Sequence, residues 1–208
     1  MKQLYSDLWQ SRSEHPFGTG VTTHAYLLIR STGNVLFYSS GHSEEYKEIK
    51  QLGGAVRQYL SHRHEAGPAL LRIKETLGSL LCCHTLEAST IGEVCPVDIT
   101  FDNRERHLGE IEIIPTPGHT EGSTCFLCKS QQGRRYLFTG DTIFPEGDSW
   151  GTYVSRNHRR TLAESLSLLR NLEPDVVLSS ASSGPHTFRE MSPGQWQQAV
   201  DKTIRKLS

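Results

Sequence analysis

At 208 residues the chain has the length of one domain, spanning 1–208, and a domain of this size buries roughly two thirds or more of its unfolded surface. Lys and Arg number 22 against 23 Asp and Glu, a formal net charge of −1 with no block of like charges, which argues against nucleic acid or an anionic membrane as partner. The first residues contain no apolar run of secretory length, and no stretch reaches the length of a membrane span. A soluble, cytoplasmic protein acting on a small-molecule substrate is therefore expected. Five cysteines, two of them adjacent, do not resemble a secreted disulfide framework and are expected to be reduced.

In chain order, strands are predicted over 25–30, 34–39 and 55–60, with Gly33 at the turn between the first two. A short helix over 43–51 fits between the second and third, with Ser43 as its N-cap candidate and Gly53 just beyond its end. Ala69, Leu70, Ile73 and Leu77 recur at helical spacing after Pro68, and Gly78 stops that helix. A short buried strand at 80–83 is followed by a β-rich middle: 97–101, 104–108, 110–114, 124–129 and 135–139. Leu162, Leu166 and Leu169 mark one face of a helix over 160–172. A strand at 176–179 and a helix over 193–207 complete the chain. Two groups of strands, each finished by helices, predict a sheet-on-sheet core with helices outside. Cys125 and Cys128 form a lone CxxC inside a strand, where positions i and i+3 face opposite sides, so a core role is expected rather than redox or zinc chemistry.

The chemistry concentrates at the ends of strands. His62-Arg63-His64 follows the third strand, His119 sits in the turn Thr116-Pro117-Gly118-His119-Thr120-Glu121-Gly122-Ser123, and Asp141 follows Gly140 after the 135–139 strand. Imidazole is the commonest protein ligand for zinc, and a catalytic zinc keeps three protein ligands and one open position. His62, His64 and His119 supply three nitrogens, and Asp141 an oxygen. His24, His42, His84, His107 and His158 lie outside this pattern and read as structural or exposed. Trp9, Phe17 and the Gly18/Gly20 loop read as core and hairpin before cleft cover, and Arg63 either supports the loop or reaches an anionic substrate.

The order of these pieces resembles the metallo-β-lactamase superfamily, whose pattern is HxHxDH, a TPGHTxGS-like turn, GDxxF and a late His; here the corresponding pieces span roughly 25–186. The resemblance implies an αββα four-layer sandwich, an α+β fold, with His62, His64, His119, Asp141 and His186 as metal ligands. It also exposes departures. His62-Arg63-His64-Glu65-Ala66-Gly67 has Ala66 and Gly67 where dinuclear relatives have the Asp and His that hold a second metal. The second site is left with Asp141 and His186, so at most one tightly bound metal is expected. Glu65, one position earlier than the family Asp, is expected to face solvent. Ser39 stands where relatives commonly carry an Asp that orients the metal loop.

The resemblance implies a metal-dependent hydrolase with one zinc, iron or manganese being the other cations these ligands suit. Ester, thioester or lactone hydrolysis is the expected reaction, with Asp141 orienting the attacking water. Two other readings follow from the same residues: a persulfide dioxygenase-like iron site of His62, His119 and Asp141, and a non-catalytic member that keeps the fold. Glyoxalase-II-like enzymes carry an extra C-terminal helical domain for their thiol substrate, whereas one helix follows His186 here.

Overall fold

The computed structural model describes every residue except Phe17, Thr19, Pro185 and Ser208. Seven strands form the first sheet, in the spatial order Lys2–Tyr5, Leu8–Gln10, Tyr26–Leu28, Val35–Phe37, Arg57–Tyr59, Leu80–His84 and Ile99–Phe101. The first four run antiparallel to their neighbours, and the last three are added in parallel. Parallel neighbours need a crossover, and three helices supply them: α1 (Glu45–Gln51), α2 (Ala69–Leu77) and α3 (Thr85–Gly92). The second sheet has six strands, ordered Phe188–Glu190, Val176–Leu178, Arg135–Phe138, Thr124–Lys129, Ile111–Pro115 and Glu105–His107. Its one parallel pair, Arg135–Phe138 with Val176–Leu178, is joined through α4 (Arg159–Leu169), and α5 (Pro193–Leu207) closes the chain.

Alternation along the strands builds the layers. Tyr26, Phe37, Tyr59 and Cys82 of the first sheet meet Ile113, Phe126, Tyr136 and Phe138 of the second in one buried cluster between the sheets. Phe37 and Phe138 stack across it with ring centroids 3.8 Å apart. The outward residues of the second sheet, including Ile114, Leu137 and Val177, pack under Leu162, Leu166, Leu169, Trp196 and Val200 of α4 and α5. On the other side, Leu27 and Leu36 lie beneath Tyr46, Ile49 and Ile73, and Leu60 and Leu81 beneath Leu70 and Ile91. Helix, sheet, sheet, helix is the αββα arrangement expected from the sequence.

The CxxC divides between layers: Cys125 belongs to the helix-side core and Cys128 to the core between the sheets. All five cysteines are buried free thiols, and burial pushes Cys125 up to about 11, far from a reactive thiolate. Gly78 ends α2 in the left-handed region at φ 69°, as its position predicted. Ser43 does not cap α1, which begins at Glu45 after Glu44 with no side-chain cap. No helix among the described residues is long and apolar enough to cross a membrane.

Five features have no counterpart in the sequence reading. The N-terminal hairpin of Lys2–Tyr5 and Leu8–Gln10 is held by Asp7, a buried carboxylate that accepts hydrogen bonds from Tyr136 and Ser130. A second hairpin pairs Phe144–Glu146 with Ser149–Gly151. A two-residue bridge joins Thr22–Thr23 to Ala181–Ser182, and Phe188–Glu190 closes an edge of the second sheet. Helix α3 is the fifth: His84 caps it by accepting the Leu86 N–H at 3.1 Å, and its exposed Leu86 and fully buried Glu87 invert the usual binary pattern.

A candidate metal centre at the strand ends

Three loops at the carboxyl ends of strands converge, where open α/β sheets usually place ligands. The first leaves Arg57–Tyr59 and carries His62 and His64 around a single 3-10 turn, Arg63–Glu65. The second joins Ile111–Pro115 to Thr124–Lys129 and carries His119. The third leaves Arg135–Phe138 and carries Asp141. The first two are tied at the backbone by Thr124 N–H donating to Ser61 O at 2.9 Å.

Two glycines allow this crowding. At Gly118, φ 147°, a Cβ would stand 2.8 Å from Leu162 Cα, so the Pro-Gly turn lies directly against α4. Gly140, φ 53°, places a would-be Cβ 2.1 Å from Ser61 Oγ, and its N–H donates to the Tyr38 hydroxyl at 2.8 Å. Tyr38 itself has φ 68°, an uncommon conformation for a bulky residue and one that clusters at functional sites.

His62, His64 and His119 come together, each offering a ring nitrogen so that the three lie within 4.8 Å of one another. Their rings stand nearly perpendicular in pairs, at 84°, 87° and 83°. Hydrogen bonds fix which nitrogen faces inward. His119 Nδ1 lies 2.8 Å from the Tyr153 carbonyl, which only accepts, so Nδ1 carries the proton and Nε2 keeps its lone pair. Ser61 Oγ has one proton, and Glu65 Oε1 takes it at 2.5 Å. The same Oγ must then accept from His62 Nδ1 at 2.8 Å, which again leaves Nε2 free. His64 Nδ1 sits 2.9 Å from His119 Nε2. Zinc–nitrogen bonds are about 2.0–2.1 Å, so two ligands of one ion lie at most ~4.2 Å apart. The His64–His119 pair lies inside that limit and the three nitrogens together, within 4.8 Å, come close to it, so the cluster fits a divalent cation once the proton shared by His64 and His119 is displaced.

Asp141 flanks two of the three. Its Oδ2 is 3.5 Å from His62 Nε2 and 3.8 Å from His119 Nε2, while Oδ1 accepts from Ser180 Oγ at 2.7 Å. Burial opposes charge on His62, but the Asp141 and Glu65 carboxylates outweigh it and raise its pKa. Burial and the neighbouring His62 push His64 and His119 down, which favours the neutral, ligating form. His186 is not brought to this cluster; it is exposed and lines a separate groove with Asp148, Trp150 and Gln198.

Glu65 corrects one expectation. Its side chain is 7% exposed and points inward, accepting from Ser61 N–H at 2.8 Å as well as from Ser61 Oγ. It turns in because the 3-10 turn folds residue 65 back over the strand end. Carboxylate, serine and histidine thus form a relay that sets the His62 tautomer, while Ser39 makes no side-chain hydrogen bond among the described residues. Glu65→Gln is expected to weaken metal affinity about 10- to 100-fold, the usual effect of losing such a partner, with little change in melting temperature; competition with a chromophoric chelator measures it.

Sequence reasoning missed Glu87, which is fully buried on α3. It accepts from Arg63 N at 2.8 Å and Arg63 Nε at 2.7 Å, and from Gly122 N at 2.7 Å. One carboxylate therefore clamps the loop of His62 and His64 to the loop of His119. Arg63, which also pairs with Glu121, serves the loop and not a substrate. Of the other histidines, His84 caps α3, His107 meets Tyr59 Oη at 3.2 Å and His42 meets Ser13 O at 3.2 Å. His24 is buried with Nδ1 on Ser11 O at 2.9 Å. Trp9 sits in the N-terminal hairpin, and Phe17 lies outside the described residues.

A cavity of about 310 Å³ opens beside the cluster, lined among others by His62, His64, Asp141, Ala66, Gly67 and Arg72.

No curated protein matches this sequence. Among solved structures, a metallo-beta-lactamase from Pontibacter korlensis superposes with a TM-score of 0.74 at 20% identity, covering 99% of this chain and 97% of that one. The DIM-1 metallo-beta-lactamase exposed to ceftazidime gives 0.73 at 17%, with 97% and 95% covered. ETHE1 from Myxococcus xanthus gives 0.62 at 17%, with 88% and 80% covered. At these identities the likeness concerns the fold. The family description "Metallo-beta-lactamase superfamily" matches residues 25–181, a stretch that contains His62, His64, His119 and Asp141, and the chain therefore belongs to that superfamily.

Proposed function

We propose that the protein is a hydrolase of a small ester, thioester or lactone that uses one divalent cation, zinc, held by His62, His64 and His119. The observation that carries this reading is the convergence of three imidazole ring nitrogens beside the Asp141 carboxylate, at the wall of an open cavity. When bound, the cation supplies Lewis acidity towards a carbonyl oxygen and lowers the pKa of a water towards neutrality. The remaining work falls to the chain. Ser180 holds Asp141 Oδ1, which leaves Oδ2 to accept the proton of an attacking water. Tyr153 O and the Ser61–Glu65 pair keep His119 and His62 in the ligating tautomer. The test is a screen of ester, thioester and lactone substrates with zinc-loaded protein and its His119→Ala variant. Turnover present in the parent and absent in the variant supports hydrolysis; no turnover of any of the three leaves the oxygenase and non-catalytic readings.

A single metal is proposed because Ala66 and Gly67 carry no donor atoms and His186 lies away from the cluster. Restoring the pair with Ala66→Asp and Gly67→His is expected to raise metal content from one to two ions per chain. Space permits it, since a Cβ at Gly67 meets nothing within 4 Å. Elemental mass spectrometry of the double variant reads the change.

One observation favours a second reading. Asp141 Oδ2 is within 4 Å of both His62 and His119, and two histidines with a carboxylate suit a mononuclear iron oxygenase acting on a thiol or persulfide. Iron in the purified protein, with oxygen uptake on adding a persulfide, would select it over hydrolysis.

A further inference from the structure

The cavity beside the histidines has a composition that the proposed chemistry does not use. Ala66 and Gly67 open it, and the first turn of α2 forms one wall through Pro68, Ala69 and Arg72. Arg72 is the single Lys or Arg among its lining residues. Its one hydrogen bond is a long contact to Pro68 O, 3.5 Å, and no carboxylate lies within ion-pair distance of it among the described residues. The acidic groups that share the cavity are engaged elsewhere. Glu14 accepts the Gly41 N–H at 2.8 Å, Glu65 is held by Ser61, and Asp141 by Ser180. Arg72 is exposed, and what sets it apart is its place on the cavity wall: outside the cavity some arginines, such as Arg30, Arg63 and Arg170, have a carboxylate partner.

The helix strengthens the bias. No side chain caps the amino end of α2, so the positive end of its dipole also faces the space that Pro68 and Ala69 line. Buried Leu70 and Ile73 fix α2 against the first sheet, which holds Arg72 at a set side of the cavity. A planar guanidinium offers paired donors to an oxyanion, and such charge-assisted pairs are directional.

We propose that the space left by Ala66 and Gly67 is the substrate pocket, and that Arg72 is a specificity-determining residue that binds an anionic oxygen group, carboxylate or phosphate, on the substrate. The substrate class is thus an ester or thioester whose acyl part ends in an acid. This rests on the hydrolase reading for the reaction, but the anion site can be tested without turnover.

Two readouts separate the claims. Binding of glutarate and of inorganic phosphate to the full-length protein, parent and Arg72→Ala, is followed by calorimetry; the better ligand tells carboxylate from phosphate. Kinetics compare monophenyl glutarate with phenyl acetate in the zinc-loaded parent, Arg72→Ala and Arg72→Lys. Loss of one charge-assisted contact should weaken anion binding about 10- to 100-fold in Arg72→Ala. The ratio of kcat/KM for the anionic over the neutral ester should fall by the same factor, mainly through KM, with Arg72→Lys in between. Binding and ratio both unchanged in Arg72→Ala would overturn the anion site while leaving hydrolysis standing. Turnover of neither ester, with Arg72-dependent anion binding intact, would remove the hydrolase reading and leave the anion site.

Discussion

Glu87→Ala is expected to destabilise the protein by about 3 kcal/mol or more, the cost of removing one partner from a buried ion pair. Glu87 is fully buried, and its loss strands the Arg63 and Gly122 N–H groups as well as part of the Arg63 guanidinium. Arg63 is 27% exposed and keeps Glu121, which holds the cost near the lower end of the usual range. Urea unfolding followed by circular dichroism measures it, and a loss under 1 kcal/mol would show that the clamp contributes little. The same change frees both histidine loops from α3, so metal affinity should fall with stability.

Acid provides an independent check. Burial raises the Glu87 pKa, but the Arg63 side chain and two backbone N–H groups outweigh burial and lower it overall. A carboxylate lowered in the folded state contributes fully above its unfolded pKa, about 4.3, and that contribution is lost as pH falls through the folded value. The stability difference between parent and variant should therefore shrink only below about pH 4.

His119→Ala is expected to abolish tight metal binding while leaving the fold intact. Three nitrogen ligands would become two, and two ligands without a third rarely retain a divalent ion. His119 also places its Nε2 2.9 Å from His64 Nδ1, so its removal leaves His64 without its nearest co-ligand. Besides that contact the His119 ring bonds a backbone carbonyl through Nδ1, and its truncation leaves no buried charge behind. Dialysis against a metal buffer followed by elemental analysis should find less than a tenth of the parent content, with near-parent circular dichroism. Parent-level metal in this variant would remove His119 from the ligand set.

Much of this architecture was legible in the residues because the local signals agreed with the tertiary ones. Leu162, Leu166 and Leu169 gave α4 from their spacing, Gly78 gave the end of α2, and the histidine motifs gave the loops that meet. What stayed hidden depended on contacts distant in sequence. Helix α3 exposes Leu86 and buries Glu87 because Glu87 serves residues 24 and 35 positions away, so no amphipathic pattern announces it. Glu65 looked like a surface carboxylate because its partner, Ser61, meets it only once a 3-10 turn has formed. The Tyr153 carbonyl that orients His119 is a backbone group, and no side-chain motif encodes it. The N-terminal hairpin, too, is secured by Asp7 reaching Tyr136 more than a hundred residues on.

The central claim is one cation on three histidines, and metal content of the full chain, purified without a histidine tag or added metal, tests it most directly. Elemental mass spectrometry should find about one zinc per chain. No bound metal, even after incubation with zinc, iron or manganese followed by dialysis, would contradict it.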